Sequence, residues 1–442
     1  MDSSAKPSPV PLAAFEQLML ADARPGHPMC FYLECVVEGD LDEARLRRAV
    51  ERTAQRHPLT RSRVGWRSGR PCWLPPDAAP EFVWRPAPGD APWRPPDLER
   101  GSGVRIVVRR FGDGAHGVAL VVHHAVCDGI AACEFLGDVW TYYDGGEPRP
   151  FTAPAERRAR GPAEPGADAA AVAPGERSTV VGETLAFARF LAAPLANVPA
   201  GLLPADGGAD GGPPFASLEL DADFTARLRA AAQERRATVN DLVLAAVMRA
   251  VVEWNDRAGV RRRGIRVTMP VNLRAVRERR PADNAIGYAF LDRTPAECRD
   301  REHLTRFLAT ASQWVVGSGA ASRFIETITV VAQWPRLLAL VTRLPVCLAT
   351  VTVSNVGDVG RRMRAGVPRV GGRDAPGGLT IRSFAGVPPL RPGTRAAVGV
   401  LGYAEGTTLC CACSAHPDAR TGGRAFLELV RQELAGFFGP AA

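Results

Sequence analysis

The chain has 442 residues, of which 46% are hydrophobic and 23% charged, and its net charge is +8. This length exceeds one ordinary core, and the composition is that of a soluble globular protein, so two or three domains are expected. The first residues show no charged start followed by an apolar run, and we expect no signal peptide. The most apolar stretch, residues 329–353, is interrupted by two arginines and two prolines, which argues against a spanning helix and for a cytoplasmic protein.

The first part of the chain combines strand patterns with helix patterns. Residues 46–54 place their apolar side chains on one helical face, and Asp40 is the predicted cap of that helix. A second helix is predicted after residue 129. The predicted strands are 30–39, 104–111 and 117–124.

A stretch rich in Ala, Pro, Gly and charge divides the chain. Residues 153–178 cannot bury enough apolar surface to order themselves, and we interpret them as a flexible linker. Residues 202–214 form a second flexible segment. The predicted domains are therefore an N-terminal lobe over 1–152 and a C-terminal lobe over 179–442.

The second lobe also mixes helix and strand patterns, which predicts an α/β protein of two lobes. Helices are predicted at 181–198, 222–235, 238–256, 301–316, 321–343 and 423–438. Strands are predicted at 217–221, 264–272, 350–355, 379–384, 395–403 and 407–414.

The segment HHAVCDG, residues 123–129, carries the strongest chemical signal. It follows an unbroken apolar run typical of a strand that is covered on both faces. The two-residue period of a strand sends His123 and His124 to opposite faces, so that one can brace and the other can face a cleft. Asp128 and Gly129 favour a turn, because Asp can bond its own backbone and Gly accepts unusual conformations.

An imidazole at a strand end can take a proton from a hydroxyl or an amine near neutral pH. Cys127 lies inside the turn and is the alternative, less favoured nucleophile. The remaining alternative is that both histidines are satisfied core residues.

Two other features have a structural and a functional interpretation. The cluster Cys410, Cys411 and Cys413 lacks a second pair of ligands, and we expect buried strand residues rather than a metal site. Basic runs at 261–263, 277–280 and 361–364 form either a solvated surface or a site that attracts an anionic substrate, carrier or membrane face. No stacking pattern accompanies them, so nucleic acid is not expected.

HHAVCDG resembles the active-site motif HHxxxDG of the superfamily of coenzyme-A-dependent acyltransferases and nonribosomal-peptide condensation domains. Other segments, in the same order, resemble the wax ester synthase/diacylglycerol acyltransferase group. This group's usual SNVPGP is replaced here by SNVGDVG, and no DFGWG element is present. The segments are residues 11–29, 37–64, 238–247, 269–274, 352–357 and 387–403.

The resemblance implies a role for each matching residue. His124 would be the general base, with His123 and Gly129 supporting the turn. Asp128 would be structural and held by Arg274 from the other lobe. Ser354 and Asn355 would line the cleft opposite His124 and stabilise an oxyanion.

The resemblance also implies two lobes like chloramphenicol acetyltransferase, with mixed sheets and flanking helices around a central channel. The expected activity is acyl transfer from a thioester, acyl-CoA in the first instance, to a hydroxyl or amine. No metal or tightly bound cofactor is expected. The alternatives are a stand-alone condensation-type domain that uses an acyl carrier protein with its phosphopantetheine, and a non-catalytic lipid-binding relative; peripheral membrane contact is left open.

Overall fold

The computed structural model of the protein describes residues 8–87, 90–152, 214–257, 259, 264–275, 278–343, 348–391, 393–414 and 419–438. The predicted linker 153–178 and the predicted helix 181–198 lie outside these residues, as does the second flexible segment except for residue 214. The predicted domain boundaries therefore stay a prediction.

The described residues contain helices and strands throughout. The helices are α1 (Ala14–Asp22), α2 (Glu43–Arg56), α3 (Gly129–Asp144), α4 (Ala222–Glu234), α5 (Val239–Arg257), α6 (Pro295–Arg299), α7 (Arg301–Ser318), α8 (Ala320–Val331), α9 (Pro335–Arg343), α10 (Val359–Met363) and α11 (Ala419–Ala435). The strands are β1 (Val10–Pro11), β2 (Cys30–Glu38), β3 (Val64–Arg67), β4 (Arg70–Trp73), β5 (Glu81–Trp84), β6 (Val104–Arg110), β7 (His116–His123), β8 (Ala216–Leu220), β9 (Ile265–Asn272), β10 (Ile286–Arg293), β11 (Val351–Asp358), β12 (Arg369–Val370), β13 (Arg373–Asp374), β14 (Thr380–Val387), β15 (Ala396–Tyr403) and β16 (Gly406–Cys413).

Two large sheets confirm the predicted α/β architecture of two sheet-rich lobes. One sheet has the strand order β14-β2-β7-β6-β5, and the other has the order β10-β9-β11-β15-β16-β8. In the first sheet, all eight residues of β7 are buried between β2 and β6. This burial explains why the apolar run before the histidines does not alternate with polar residues.

One strand connects the halves of the chain. β14 belongs to the C-terminal half, yet it pairs antiparallel with β2 at the edge of the first sheet. Gly386 of β14 lies against Gly399 of β15, so that the two sheets approach each other through backbone. Gly386 also donates its backbone N–H to the Cys410 sulfur, at 3.2 Å. We call the line along which β14 of the first sheet meets β15 of the second sheet the seam. It depends on the pairing of β14 with β2, which the sequence did not indicate.

Several predicted elements need correction. The cap of α2 is Asp42, whose side chain accepts a hydrogen bond from the Arg45 backbone N–H at 2.6 Å, rather than Asp40. The helix predicted over 321–343 is two helices, α8 and α9, bent by 118° where Pro335 begins α9. Strand β10 and helix α1 were not predicted, since neither has a clear apolar period.

Candidate active site

Strand β7 delivers the two histidines to the seam between the sheets. His123 is the last residue of the strand, and His124 is the first residue of the turn that leads into α3. The predicted separation of their roles is visible in their contacts. His123 Nδ1 accepts a hydrogen bond from the Ala125 backbone N–H at 3.2 Å, which braces the turn. Burial, and then the neighbouring His124, lower the pKa of His123 to about 3, so its ring is neutral at pH 7.

His124 is held between two aromatic rings. The ring centroids of Phe15 and Phe31 lie 5.4 and 5.3 Å from its own, both edge-on. Its Nδ1 is buried and makes no hydrogen bond within the described part of the chain, which leaves Nε2 as the nitrogen able to meet a substrate. Burial lowers the pKa of His124, while the Asp128 carboxylate and the Asn284 side chain act in the opposite direction. A neutral imidazole is the form that can accept a proton.

Asp128 is the N-cap of α3 and is only 1% exposed. One carboxylate oxygen accepts hydrogen bonds from the backbone N–H groups of Ile130 and Ala131, at 3.1 and 3.0 Å. The other accepts from Arg274 Nη1 at 2.7 Å and from the Ala285 backbone N–H at 2.8 Å. Burial by itself would raise the pKa of Asp128, but the charge and hydrogen bonds of Arg274 outweigh it and hold that pKa below its usual value.

The expected pairing of Asp128 with Arg274 is therefore present, although the roles of the two residues in a reaction stay a prediction. The Arg274 side chain is only 3% exposed and also donates to the Asp283 backbone carbonyl at 3.0 Å. It thus joins the turn after β7 to the segment between β9 and β10. The contact between Arg274 and Asp128 was expected only from the resemblance to the acyltransferase superfamily.

Residues 283–285 complete a clamp on the histidine turn, and the sequence analysis missed them. Asn284 Nδ2 donates to the carbonyl oxygens of His124 and Ala125, at 2.9 and 3.1 Å. The Asp128 backbone N–H donates to the Asp283 carbonyl at 3.3 Å. The only signal in the sequence was a polar Asp-Asn pair just before an apolar run, which is too common to point to a site.

Gly129 differs from expectation, whereas Cys127 agrees with it. Gly129 has no positive φ, and a Cβ there would meet only Val356, at 3.8 Å, so backbone freedom is not what this position uses. Cys127 is buried, and burial raises its pKa well above the usual value, which disfavours the nucleophilic thiolate.

Two clefts meet at His124. The larger has a volume of about 790 Å³, and its walls include the histidine, Asp128 and Asn272. The smaller, of about 410 Å³, lies on the side of β2 and β14. Five residues line both clefts. They are His124, Gly129, Ser354, Val356 and Pro388. The imidazole is therefore accessible from both sides of the seam.

Ser354 and Asn355 lie at the end of β11, on the walls of these clefts. Ser354 borders both clefts, and its hydroxyl makes no hydrogen bond to any described residue. Asn355 borders the larger cleft only, and its Nδ2 donates to Asn240 Oδ1 at 3.1 Å. Ser354 therefore borders both clefts with a hydroxyl that no described residue engages, while Asn355 Nδ2 keeps one of its two N–H donors on the larger cleft.

The remaining candidate features are largely structural. Cys410, Cys411 and Cys413 are buried in β16, and burial raises the pKa of Cys410 to about 12. In the basic run 277–280, Arg279 is buried and paired with Asp138, whose carboxylate also contacts His57 at 3.2 Å. These contacts fasten the second half of the chain to α3. The run 261–263 lies outside the described residues.

The comparisons with known proteins concern the family and the fold of this chain. Residues 209–279 match the family model of the phthiocerol/phthiodiolone dimycocerosyl transferase C-terminus. An uncharacterized protein found in two strains of Mycobacterium tuberculosis is 29% identical over 363 residues, which cover 77% of this chain and 80% of that protein.

Solved structures with the same fold cover nearly the whole chain. Polyketide synthase associated protein 5 from M. tuberculosis superposes with a TM-score of 0.62 at 17% identity, covering 97% of this chain and 98% of its own. The first condensation domain of the CDA synthetase gives 0.62 at 18%, covering 100% and 98%. The trichothecene 15-O-acetyltransferase of Fusarium sporotrichioides gives 0.66 at 12%, covering 97% and 95%.

This chain has the condensation-domain and acyltransferase fold. The predicted superfamily is thereby confirmed at the level of fold, whereas the closer likeness to wax ester synthases stays a prediction. In this condensation-domain and acyltransferase fold, the HHAVCDG segment lies at the seam of the two sheets, and no further site residue is assigned by the comparisons.

Proposed function

We propose that this protein is an acyltransferase that moves an acyl group from a thioester, in the first instance acyl-CoA, to the hydroxyl or amine of an acceptor. The observation that supports this most directly is the position of His124 at the meeting point of two clefts. Two substrates can approach one imidazole from opposite sides, which is the arrangement that a transfer between them needs.

In the proposed reaction, His124 Nε2 takes the proton of the acceptor hydroxyl or amine as the acceptor oxygen or nitrogen attacks the thioester carbonyl. The negative charge moves to the carbonyl oxygen, and the Ser354 hydroxyl is the candidate donor to it. When the tetrahedral intermediate collapses, the carbon–sulfur bond breaks. The thiolate leaves and receives the proton from the imidazolium, so that the enzyme returns to its starting state.

Asp128, Arg274 and Asn284 hold His124 in position and do not themselves transfer a proton in this step. None of the three needs to exchange a proton, because Asp128 is ionised and Arg274 is charged at neutral pH. Their hydrogen bonds fix the backbone on both sides of His124 and thereby the direction of its ring. Burial of the ring holds it neutral and able to accept a proton.

The thioester donor is acyl-CoA or an acyl group on a carrier protein's phosphopantetheine. Both present the same thioester to His124, so the reacting group does not distinguish them. A stand-alone condensation-type domain is thus the second candidate, and the similarity to a condensation domain supports it. A non-catalytic lipid-binding role is the third. The position of His124 on the walls of both clefts argues against it, because a binding protein has no need of a base at the junction of its clefts.

A thiol-release assay separates these candidates. Purified protein is given a panel of acyl-CoA esters with alcohol and amine acceptors. The released thiol is followed through the change in absorbance when it reacts with a chromogenic disulfide reagent. The proposal expects release by the wild type and a loss of at least about a hundred-fold in His124→Ala, the lower end of the contribution of a general base. His303→Ala, at an exposed position on α7, is the matched control.

Equal release by wild type and His124→Ala would remove His124 as the base. Release with carrier-bound acyl groups but with no CoA ester would favour the condensation reading. Absence of turnover with every donor, together with copurified lipid, would favour the binding role.

We also propose that the protein contacts a membrane surface through α9. No single helix in the described ranges is long and apolar enough to span a bilayer, and α8 and α9 pass that test only as a bent pair. Leu338 and Thr342 of α9 face the protein, whereas Leu337 and Leu340 are 43% and 62% exposed, and Trp334 just before the helix is 58% exposed. Both charged residues of α9 are arginines, which suits an anionic lipid surface.

A further inference from the structure

The larger of the two clefts at His124 carries positive charge that no carboxylate of the described residues balances. Its walls contain three charged side chains, those of Asp128, Arg362 and Arg391. Asp128 is neutralised by Arg274, which lies behind it. Arg391 Nε donates to Asp22 Oδ2 at 2.6 Å and is therefore also paired.

Arg362 is different. Its Nε donates to the Val356 backbone carbonyl at 3.2 Å, which fixes the base of the guanidinium group. In the described part of the chain no carboxylate lies within 4.0 Å of this group, so its two terminal nitrogens carry unused donors. A guanidinium that is anchored at Nε and open at both terminal nitrogens suits a two-point contact with a carboxylate or a phosphate oxygen pair.

The anchor also connects Arg362 with the reacting centre. Val356 follows Ser354 by two residues on β11 and borders both clefts. The guanidinium is therefore attached to the wall that separates the clefts, in the same cavity of about 790 Å³ as His124. An anionic group held by Arg362 would therefore lie in the same cleft as the reacting atoms.

The smaller cleft has the opposite character. Its walls are formed by uncharged side chains and by glycine backbone, apart from the shared histidine; the apolar ones include Phe31, Leu33, Val387 and Leu401. Such a surface suits a hydrocarbon chain. The acyl group of the thioester therefore fits the smaller cleft, and the larger cleft is left for the acceptor.

We propose that the acceptor is itself an anion, a hydroxy acid or amino acid whose carboxylate binds Arg362 while its hydroxyl or amine meets His124. This inference rests on the proposed function and adds the chemical class of the acceptor. A phosphate of the thioester donor is the other source of the same charge. The pantetheine arm separates that phosphate from the thioester, and this separation favours the acceptor, since Arg362 lines the same cleft as His124.

The test compares Arg362→Gln with Arg361→Gln. Arg361 is the matched control, because it is the neighbouring residue, its side chain is 89% exposed and it borders neither cleft. A panel of hydroxy acids and amino acids is assayed beside the methyl ester of each. The wild type and Arg361→Gln are expected to prefer the acid. In Arg362→Gln, KM for the acid is expected to rise by about ten- to a hundred-fold, the effect of one lost charged hydrogen bond, with little change for the ester.

Two further arms identify the source of the anion. An acyl-N-acetylcysteamine thioester, which has no phosphate, replaces acyl-CoA. The effect of Arg362→Gln is expected to persist with this donor. If the KM change in Arg362→Gln disappeared with the phosphate-free donor, the acceptor assignment would be overturned. The same holds if the wild type preferred no acid over its methyl ester, or if that preference survived in Arg362→Gln.

A binding measurement keeps this inference separate from the proposed function. Calorimetric titration of the same acids and esters into wild type, Arg361→Gln and Arg362→Gln does not depend on turnover. Binding of an acid that is lost only in Arg362→Gln supports the anion site even when no thioester is consumed, in which case the acyl-transfer proposal alone fails. Equal binding to all three proteins would overturn the anion site.

Discussion

Arg274 Nη1 lies 2.7 Å from Asp128 Oδ2, and both side chains are at least 97% buried. The arginine comes from the segment after β9, whereas the aspartate caps α3. This single ion pair therefore joins the two halves of the chain directly behind His124. A buried pair of this kind is costly to break from one side, because the remaining charge is left without a partner.

Arg274→Met is expected to destabilise the protein by about 3–5 kcal/mol, since the buried Asp128 carboxylate then has only backbone partners. Urea unfolding followed by circular dichroism measures the change. The combined variant Asp128→Asn/Arg274→Met is expected to lose less than the sum of the single changes. Arg361→Met, at an exposed ion pair, is the control and is expected to stay within about 0.5 kcal/mol. Additive losses in the combined variant would show that the pair is not coupled.

Stability should also fall in acid for the same reason. The pKa of Asp128 is lowered in the folded state, so its contribution is present above the unfolded pKa of about 4 and is lost as the pH falls through the folded pKa. The free energy of unfolding of Asp128→Asn, measured by urea unfolding at a series of acidic pH values, should therefore change less with pH than that of the wild type.

The pH dependence of turnover reports on His124. Because burial lowers its pKa below 6.5, the imidazole stays neutral and competent as a base through neutral pH, and kcat/KM is expected to fall only below pH 6.5. A pH series from 5 to 8 with a substrate that does not titrate in this range measures the acid limb. An apparent pKa above 6.5 for that limb would contradict the assignment.

The close approach of β14 and β15 predicts that a larger side chain at Gly399 would disturb the seam. A Cβ on Gly399 would lie 2.0 Å from the Gly386 carbonyl oxygen, and this backbone cannot move without shifting a strand. Gly399→Ala is therefore expected to destabilise the protein by about 1–3 kcal/mol and to lower activity by shifting the walls at Ser354. Gly317→Ala is the control, because that helical position has open space and gains helix propensity of up to about 1 kcal/mol.

The membrane proposal is tested by sedimentation with vesicles that contain a third phosphatidylserine. Wild type is expected to sediment with these vesicles and less with neutral ones, because Arg336 and Arg343 lie at the two ends of the exposed face of α9. Leu337→Glu/Leu340→Glu is expected to remain in the supernatant. Equal sedimentation of wild type and variant would rule out this helix as the contact, and retained thiol release by the variant would show that it is folded.

Much of the fold could be read from local patterns. The buried strand before the histidines, the helix after them and five of the six strands of the second sheet follow from apolar runs and apolar periods; β10 is the exception. The break in the helix predicted over 321–343 was missed, although Pro335 marks it: a proline inside a helical pattern ends or kinks the helix, whereas at the first turn of a new helix it is favourable. The strand at 380–387 was predicted as a strand, but nothing local showed which sheet it joins.

The candidate site divides in the same way. The motif itself pointed to His124, Asp128 and Gly129, because their spacing along the chain is short. Asn284, Arg362 and Val356 were not found as site residues, because each becomes relevant only through contact with a segment far away in sequence.

By itself, the sequence determined the α/β character, the buried strand that ends in two histidines, and the Asp-Gly turn after them, since each depends on residues close together in the chain. Only the tertiary structure decided which strand crosses between the sheets, which side chain clamps the backbone at His124, and that the Arg362 guanidinium shares its cleft. These properties depend on which distant segments meet. Burial and hydrogen bonding set that meeting in three dimensions, and a one-dimensional pattern does not record it.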